Sequence, residues 1–371
     1  MALRIGVNAL YLIPGAVGGT EIYLRNLLAA LAALDGVNRY FVFTNRETGA
    51  DLVPARPNFT QAPQRVRAAF RPARILWEQT ALPAAAARLG LDVMLNPGYT
   101  APVYSPCPSV TVLHDLQHKR HPEYFRWWDL PFWRVLLFLS AQLSGAVVAS
   151  SRATAADLRR FYRIPEERIR VVPIGVDPVF FDIASRRRPE PLLLTVSTLH
   201  PHKNLDGLLR AFAEFRREHA GFRLVVAGLR GHYAGELERL RAELGLSDAV
   251  LFSGWIPREE LYALHERACA VIYPSLFEGF GMPVMEALAA GIPTACSDIE
   301  PLRECAGDAA LRFDPRDVHA MRDAMARLVR DDALRGRLAV EGPARAALFS
   351  WQASARAILE TLEQAARPSG A

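Results

Sequence analysis

Two glutamates enclose a glycine-rich segment that can bind a polar ligand. Glu278 and Glu286 have seven residues between them, and the amides of residues 279–282 lie just before Pro283. A proline in the first turn of a helix loses no hydrogen bond, so this stretch predicts a helix start whose amides can meet hydroxyls or an anion. The Glu286 side chain would lean back toward that helix end, where a carboxylate suits the vicinal hydroxyls of a ribose or a pyranose. The plainer interpretation is that Glu286 only complements the helix dipole and that Glu278 is solvated.

Lysine is rare in this chain, and one lysine stands next to a predicted helix start. The chain has 44 Lys plus Arg, of which only Lys119 and Lys203 are lysines. Lys203 precedes a helix that we expect to begin near Asn204, where a cation is unfavourable unless it meets an anion. A lysine ammonium is a compact point charge, unlike the planar guanidinium of arginine, and the chain otherwise uses arginine for almost every cation. We therefore expect Lys203 to bind phosphate. The alternative is a solvated lysine.

A histidine and a glycine loop follow two strands in the first half of the chain. His114 comes directly after the apolar run 109–113, although a lone histidine in such a place is often structural. Gly18 and Gly19 precede a helix and let the backbone approach an anion at its positive end, but a tight strand-to-helix turn needs the same residues. The loop does not fit the G-x-G-x-x-G dinucleotide fingerprint, and the second strand ends in Thr44-Asn45 rather than an acid. This disfavours an NAD dehydrogenase.

Short apolar strands alternate with helical patterns along the whole chain, which is typical of parallel α/β sheets. The predicted strands are residues 3–8, 40–44, 92–95, 109–113, 146–149, 169–172, 192–197, 222–227, 249–253, 270–273 and 293–296. We therefore predict an α/β protein of two Rossmann-like domains facing an interdomain cleft, with ligands beyond the carboxyl ends of the strands. The domains are residues 1–180 and 188–350, joined near 178–191, and an amphipathic helix spans about 351–366.

The segment from Glu278 to Glu286 resembles the E-x7-E motif of retaining glycosyltransferase family 4, whose members have the GT-B fold. Companion motifs follow in order along nearly the whole chain. They are the Gly-Gly-Thr-Glu loop at 18–21, His114-Asp115, and residues 173–177, 199–204 and 293–298. The resemblance implies metal-independent, retaining transfer of a hexose from a nucleotide-diphosphate sugar, without a bound cofactor. It also implies that residues 1–180 bind the acceptor, with helix 351–366 packed back on them, and that residues 188–350 bind the nucleotide sugar.

The resemblance assigns a role to each site residue. His114 would lie near the reacting sugar, Glu278 near the transferred sugar, and Lys203 on the diphosphate, which makes these three the expected catalytic residues. The expected donor-binding residues are Gly18, Gly19, His202, Gly279, Phe280, Gly281, Met282 and Glu286, with Glu286 on the ribose. Relatives commonly carry an arginine at the position of His202. Either a protonated His202 or another arginine must then assist Lys203, and we expect a steeper pH dependence than with arginine.

Composition and surface chemistry narrow the class of partner. A net charge of +5 and a pI of about 9.2 suit an anionic substrate or membrane surface, but they are too weak to indicate nucleic acid. Four scattered cysteines indicate free thiols in a reducing cytosol, and we find no signal-peptide pattern and expect a cytoplasmic protein. Residues 132–149 are too interrupted to span a membrane and predict a buried helix followed by a strand. The aromatic, basic stretch 124–133 is a candidate for peripheral contact with the inner face of the membrane or with a lipid-linked acceptor, or else a core helix.

The substrate is constrained only by similarity. Loose similarity to polysaccharide mannosyltransferases favours GDP-mannose as donor and a saccharide or lipid-linked acceptor in cell-surface polysaccharide biosynthesis. The alternatives are a GT-B-fold sugar-nucleotide epimerase and a non-catalytic, donor-binding partner subunit. The presence of Glu278, Glu286, Lys203 and His114 together speaks against the non-catalytic alternative.

Overall fold

The computed structural model describes residues 2–367, which divide into two compact units. The first comprises the described residues up to Gly175 and from Trp351 onward, and the second comprises Val176–Ser350. The chain passes between them at residues 175–176, earlier than the linker that we expected near 178–191. Much of that stretch is a helix of the second unit, Val179–Arg186, because Phe180 and Ile183 are fully buried on one of its faces.

The described part of the first unit contains a parallel sheet of seven strands in the order β3-β2-β1-β4-β5-β6-β7. Its strands are β1 (Arg4–Asn8), β2 (Arg39–Thr44), β3 (Phe59–Pro63), β4 (Val93–Asn96), β5 (Ser109–Leu113), β6 (Ala146–Ala149) and β7 (Ile169–Val171). Its first helices are α1 (Gly19–Leu34), α2 (Arg71–Arg88), α3 (Gln117–Arg120), α4 (Leu130–Leu143) and α5 (Arg152–Asp157). Strands β4 and β5 are buried along their whole length. Sheets covered by helices on both faces have such continuous apolar strands, which explains why the sequence pattern revealed them.

The second unit contains a parallel sheet whose six strands, within residues 176–350, have the order β10-β9-β8-β11-β12-β13. Its strands are β8 (Leu192–Val196), β9 (Arg223–Ala227), β10 (Val250–Gly254), β11 (Ala270–Tyr273), β12 (Thr294–Ser297) and β13 (Leu311–Phe313). Its helices are α6 (Val179–Arg186), α7 (Leu205–Arg216), α8 (Ala234–Glu243), α9 (Arg258–Arg267), α10 (Met282–Ala289), α11 (Glu300–Ala306), α12 (Val318–Arg330) and α13 (Asp332–Ala346). Phe212 of α7, Ile272 of β11 and Met325 of α12 lie in one buried core. The prediction of two Rossmann-like sheets is confirmed.

The last helix, α14 (Trp351–Ala366), belongs to the first unit. It packs against α1 and against strands β4 to β6. The Trp351 ring lies 5.8 Å from the ring of Tyr23 on α1, and Ser354 donates a 2.6 Å hydrogen bond to the carbonyl of Pro173. The first unit is therefore assembled from both ends of the described chain.

The stretch 132–149 forms most of α4 followed by β6, as predicted, but α4 is only half buried. Leu136, Leu137 and Ala141 face the core, whereas the opposite face presents Phe132 and Val135 to solvent. The expected buried helix is therefore buried on one face only, because apolar residues also lie on the face that does not pack against the core. No helix within residues 2–367 has both the length and the apolar character that crossing a bilayer requires.

Strand order reverses once in each sheet, between β1 and β4 in the first and between β8 and β11 in the second. At such a point the connections leave the two strands toward opposite faces of the sheet and open a crevice at their carboxyl ends. These two places are where the fold itself leaves room for a ligand. The site residues expected from the sequence follow β1 and β5 in the first unit, and β8 and β11 in the second.

Candidate functional site

In the second unit, the loops that follow β8 and β11 are joined to each other by hydrogen bonds. The amide of Leu276 donates to the carbonyl of His202 at 2.8 Å, and the Asn204 side-chain amide donates to the carbonyls of Pro274 at 3.1 Å and Pro315 at 2.6 Å. Asn204 has a φ of 53°, a left-handed conformation that asparagine tolerates better than most residues. The chain turns there, so Lys203 ends a short 3₁₀ turn while α7 starts at Leu205.

Lys203 and Glu278 form an ion pair at this junction. The Lys203 ammonium donates to Oε1 of Glu278 at 2.6 Å and to the Tyr273 hydroxyl at 3.3 Å. Tyr273 and Ser275 also donate to Oε1 of Glu278, at 2.8 Å and 2.6 Å. Both charged side chains are mostly buried, at 15% and 12% exposed. Glu278 therefore supplies the negative charge that a lysine just before the start of α7 requires.

The electrostatics of Glu278 keep it ionised. Burial would raise the pKa of its carboxyl, but the nearby charges of Lys203 and His202 and the hydrogen bonds from Lys203 and Ser275 outweigh burial, so the pKa lies below its usual value. Burial and the Glu278 carboxylate raise the pKa of the Tyr273 hydroxyl, which therefore remains a donor. The result is an ionised carboxylate held by Tyr273 and Ser275 and paired with Lys203.

Glycine is required where the segment after Glu278 turns into α10. Gly281 has a φ of 116°, and a Cβ there would lie 2.4 Å from Cδ2 of Leu302. The neighbouring Phe280 ring is buried against Phe349, with ring centroids 5.8 Å apart. Phe280 can therefore meet a ligand only through its backbone. Gly279, Gly281 and Met282 lie on the same turn, and Pro283 occupies the first turn of the helix, as predicted.

Glu286 lies on α10 and is 8% exposed. Within residues 2–367 no donor makes a hydrogen bond to its carboxyl group. Burial raises its pKa to about 8, an effect that Arg258 opposes and Asp177 reinforces. A buried carboxyl with unused acceptor capacity, close to the amides that start its own helix, is suited to bind hydroxyl donors.

Sequence reasoning missed the residues beside Glu286. Arg258 donates to Asp177 at 2.7 Å through Nη2 and to the Tyr262 hydroxyl at 2.9 Å through Nε. Asp177 was noticed only as part of the motif 173–177, and Arg258 carried no signal.

In the first unit, His114 is buried directly after β5. Its Nε2 is 3.3 Å from the carbonyl of Pro97, which can only accept, so Nε2 carries the proton and Nδ1 is an acceptor. Burial lowers the pKa of His114 to about 4, with the Pro97 carbonyl opposing it. Nδ1 is buried and meets no donor from the described residues. His114 is therefore a neutral imidazole with one free acceptor position.

The glycine loop is linked to His114 through α1. Gly18 has a φ of 61° and comes just before the first residue of α1, Gly19. On the second turn of α1, the Tyr23 ring meets the His114 imidazole edge-on, with centroids 4.7 Å apart. The Glu21 carboxylate accepts a 2.8 Å hydrogen bond from the amide of Gly15, which closes the loop onto the helix. The structure thus brings Gly18, Gly19 and His114 to neighbouring elements of one unit.

The expected site residues fall into two groups, one in each unit. Gly18, Gly19 and His114 lie in the first unit, and His202, Lys203, Glu278, Gly279, Phe280, Gly281, Met282 and Glu286 lie in the second. Among the residues that the structure describes, no group of three or more His, Cys, Asp and Glu side chains is arranged to hold a metal ion.

Comparison with solved structures defines the class of fold. Sucrose-phosphate synthase from Thermosynechococcus elongatus, a GT-B structure, aligns with a TM-score of 0.78 at 21% identity, covering 98% of each chain. This supports the division into two Rossmann-like units of GT-B type.

Comparison with known sequences defines the family. The model described as "Glycosyltransferase Family 4" matches residues 17–180, and the one described as "Glycosyl transferases group 1" matches residues 179–345. O-antigen chain mannosyltransferase B of Escherichia coli is 30% identical over 259 residues, which are 66% of this chain and 67% of that protein. The MMP alpha-(1->4)-mannosyltransferase of Mycolicibacterium hassiacum is 32% identical over 267 residues, 69% of this chain and 64% of that protein. The chain therefore belongs to glycosyltransferase family 4.

Proposed function

We propose that this glycosyltransferase moves a mannosyl residue from GDP-mannose, with retention of configuration, to a saccharide or lipid-linked acceptor in cell-surface polysaccharide biosynthesis. The single observation that carries the donor site is the Lys203–Glu278 ion pair at the strand-order reversal of the second unit, with Glu286 nearby on α10. The choice of mannose rests on the two similar mannosyltransferases. Their names give different acceptors, so the acceptor is left as a class.

The donor would be held by the second unit along the segment after β11. The Glu286 carboxyl group would accept hydrogen bonds from the ribose hydroxyls, because no donor within residues 2–367 uses it and it lies one turn inside α10. The backbone amides of Gly279, Phe280, Gly281 and Met282 would meet sugar hydroxyls. Lys203 would turn from Glu278 to the diphosphate, assisted by His202 and by the Gly18–Gly19 loop. These cations would stabilise the leaving group without a metal ion.

The reaction would exchange one C1–O bond for another on the same face of the sugar. The bond from the anomeric carbon to the diphosphate breaks, and its electron pair leaves with the phosphate oxygen. The acceptor oxygen forms the new bond, and its proton passes to the departing phosphate. A covalent intermediate would require a free carboxylate beneath the anomeric carbon. Glu278 is a poor candidate for this role, since Tyr273 and Ser275 still hold its Oε1 after Lys203 has turned to the diphosphate.

His114 would position the sugar rather than transfer a proton. Its neutral imidazole offers Nδ1 as an acceptor for a sugar hydroxyl. With a pKa of about 4 it stays neutral through the physiological range. The carbonyl of His114 is held by the hydroxyls of Ser150 at 2.8 Å and Thr154 at 3.0 Å, which fixes the end of β5. Such fixed groups act through orientation.

We also propose peripheral contact with the inner, anionic face of a membrane through a surface on α4. This surface, called the α4 surface below, consists of Trp127, Trp128, Phe132, Val135 and Phe138, all exposed. Trp127 is 79% exposed, and the guanidinium of Arg126 lies 5.6 Å from the Trp128 ring centre. Exposed tryptophans with adjacent cations match the chemistry of an anionic bilayer interface. We propose that the protein acts in the cytoplasm at that interface.

The experiment that tests the function begins with binding. Purified protein is heated with GDP, UDP, dTDP and ADP sugars, and we expect GDP-mannose to raise the melting temperature most. Incubation with GDP-mannose and fractionated lipid-linked saccharides should then give a mannosylated product of unchanged anomeric configuration. The Glu286→Ala variant should raise the donor KM strongly, and unchanged donor binding would remove Glu286 from the site.

The same experiment distinguishes the alternative functions. Release of free nucleotide and a modified sugar from the donor alone, without any acceptor, would indicate an epimerase. Donor binding with no turnover on any acceptor would indicate a non-catalytic donor-binding subunit. A stronger response to another nucleotide would replace GDP-mannose and leave the rest of the proposal in place.

A further inference from the structure

Three histidines cluster at the carboxyl ends of β8 and β9, in the second unit. The Nδ1 atoms of His200 and His232 are 3.2 Å apart, with ring centroids 5.0 Å apart. The His200 ring stacks on that of His202 at 5.8 Å, with 16° between the ring planes. His202 is next to Lys203 in the chain and lies near enough to Glu278 for its charge to act on that carboxyl. The imidazoles therefore form a row that leads to the Lys203–Glu278 pair.

Close packing of two loops builds this row. The amide of Leu199 donates to the carbonyl of Leu229 at 3.0 Å, which ties the loop after β8 to the loop after β9. A Cβ at Gly231 would lie 2.2 Å from the carbonyl oxygen of Leu199 and 3.0 Å from Cε1 of His200. Only glycine permits this approach, because a backbone carbonyl cannot move aside. His232 reaches His200 because residue 231 has no side chain.

The contact between His200 and His232 involves a single proton. Two Nδ1 atoms at 3.2 Å form a hydrogen bond only if one donates and the other accepts, so the Nδ1–Nδ1 contact requires one ring to leave Nδ1 unprotonated. Burial lowers the pKa of His200, and His232 and Lys203 lower it further. In the absence of a bound anion, protonation of His200 to its charged form is therefore unfavourable.

Charge at this place is otherwise balanced. Lys203 is paired with Glu278, and Arg230, which follows β9, is paired with Glu238 of α8 at 3.2 Å. The charged and titratable groups that act on His200 are His232 and Lys203, and His202 acts on the Glu278 carboxyl. A nucleoside diphosphate brings more negative charge than this arrangement offsets. Any further positive charge has to come from protons on the imidazoles.

We propose that His200 and His232, together with His202, form a phosphate-binding cluster that takes up a proton from solvent when the donor diphosphate binds. The inference rests on the proposed donor site, where the resemblance already places His202, and adds His200 and His232 to it. Bound phosphate breaks the Nδ1–Nδ1 hydrogen bond, both rings become donors to phosphate oxygens, and the added proton stays on the pair. This supplies the charge that an arginine at position 202 would carry permanently. Departure of the diphosphate returns the proton to solvent.

The sign of the pH dependence follows from linkage. A bound anion raises the pKa of the imidazoles, so the complex holds more protons than the free protein. Affinity for diphosphate then increases as the pH falls from the raised pKa toward the lower one, by roughly tenfold for each pH unit when one proton is taken up. Between pH 8 and pH 6 the wild-type protein should therefore bind diphosphate progressively more tightly.

The test is calorimetric titration of the full chain with GDP, UDP and inorganic pyrophosphate in buffers of different ionisation enthalpy, which counts the protons taken up. Near pH 7 we expect roughly one proton per diphosphate for the wild-type protein. The variants His200→Gln and His232→Gln should take up less than half as much, and their affinity should vary little with pH. His319→Gln is the matched control, because His319 lies on α12 and pairs with Glu214. It should behave as the wild type does.

Each outcome decides a separate point. Unchanged proton uptake in both cluster variants overturns the inference, even when GDP binds as proposed. Binding of UDP or pyrophosphate but not GDP corrects the proposed donor, while the proton count still tests the cluster. Failure of all three probes to bind the wild-type protein overturns the donor site and the cluster together. Titration of the histidine ring nitrogens by NMR identifies a misfolded variant and also shows directly whether His200 and His232 titrate as a coupled pair.

Discussion

Lys203 donates a 2.6 Å hydrogen bond to Oε1 of Glu278, across 75 positions of the chain. Both groups are mostly buried, so the pair is worth more than an ion pair in water and costs more to break. A diphosphate that recruits Lys203 must therefore compete with a carboxylate already in contact. Tyr273 and Ser275 remain to hold Glu278 after the lysine has moved. The Glu278 carboxylate therefore keeps hydrogen-bond donors both when Lys203 is paired with it and when Lys203 contacts the diphosphate.

Replacing Lys203 by methionine should remove both stability and catalysis, and the two effects can be separated. Glu278 would keep two neutral donors but lose its counter-charge, so we expect a loss of about 1–3 kcal/mol in the free energy of unfolding. The double variant Lys203→Met/Glu278→Gln should recover most of that stability. Loss of the diphosphate contact should lower kcat/KM about 10²–10³-fold in both variants. Thermal denaturation and donor kinetics together measure this. Recovery of activity in the double variant would contradict a direct role for Lys203.

Glu286→Gln should stabilise the ligand-free protein at high pH. The folded protein holds the Glu286 proton up to about pH 8, whereas the ordinary pKa of a glutamate carboxyl is 4.5. The folded state therefore binds more protons between these values, and the wild type loses stability as the pH rises through that window. Glutamine does not titrate, so its advantage should grow up to pH 8 and then level off, on the order of 5 kcal/mol over the whole window.

Melting temperatures of the two proteins from pH 5 to pH 9 check the Glu286 prediction. Glu243 lies at the exposed end of α8, and Glu243→Gln is the control. Its melting curve should follow that of the wild type at every pH. A Glu286→Gln advantage that does not change with pH would show that Glu286 is ionised in the folded protein.

Gly281→Ala should destabilise the second unit. The added Cβ would meet Leu302 at 2.4 Å in a backbone conformation that L-residues rarely adopt, so we expect a loss of about 1–3 kcal/mol. Gly336 in α13 has open space around it, and there the same substitution should stabilise by about 0.5–1 kcal/mol. Urea denaturation of both variants compares them. Equal effects of the two substitutions would be inconsistent with strain at Gly281.

Trp127→Ala/Trp128→Ala should abolish binding to anionic liposomes. Both rings are exposed on the α4 surface, so their removal should leave folding unchanged while removing the groups that would enter the interface. Flotation with phosphatidylglycerol and with neutral phosphatidylcholine vesicles measures the effect, and we expect binding to the former alone. Trp255 of the second unit is 60% exposed, and Trp255→Ala is the matched control. A wild-type dimer that the double substitution converts to monomer would instead identify a self-association surface.

The sequence predicted every described strand except β3 and β13, and both of these lie at sheet edges. Interior strands such as β6 and β11 are uninterrupted apolar runs because helices cover both of their faces. The edge strand β3 of the first sheet was missed, since it ends in Pro63 and only its first residue, Phe59, is buried. The edge strand β13 of the second sheet was missed because it has only three residues. Helix α2 was missed because Pro83 lies inside it, where a proline normally argues against a helix.

The sequence pointed to several residues of the candidate site, but not to their mutual contacts. The motif spacing identified Glu278 and Glu286, and the scarcity of lysine identified Lys203. Their pairing depends on β8 lying next to β11 although β9 and β10 intervene in the chain, which no local pattern records. The same holds for Arg258 and Asp177, which meet beside Glu286 from distant parts of the chain. Which of these residues come into contact is therefore decided by the order of strands in the sheet, and residue types and spacing do not reveal that order.

The placement of α14 has a consequence for how the protein is made. The second unit is one uninterrupted stretch, Val176–Ser350, and its two ends meet where the amide of Val176 donates to the carbonyl of Phe349 at 3.0 Å. The first unit lacks α14, and with it the Trp351 ring beside Tyr23, until that helix has been translated. Because ribosomes deliver the chain from its N-terminus, we expect the half encoded later to finish folding first. The nascent first half would wait, with one flank of its sheet uncovered, for the last helix to emerge.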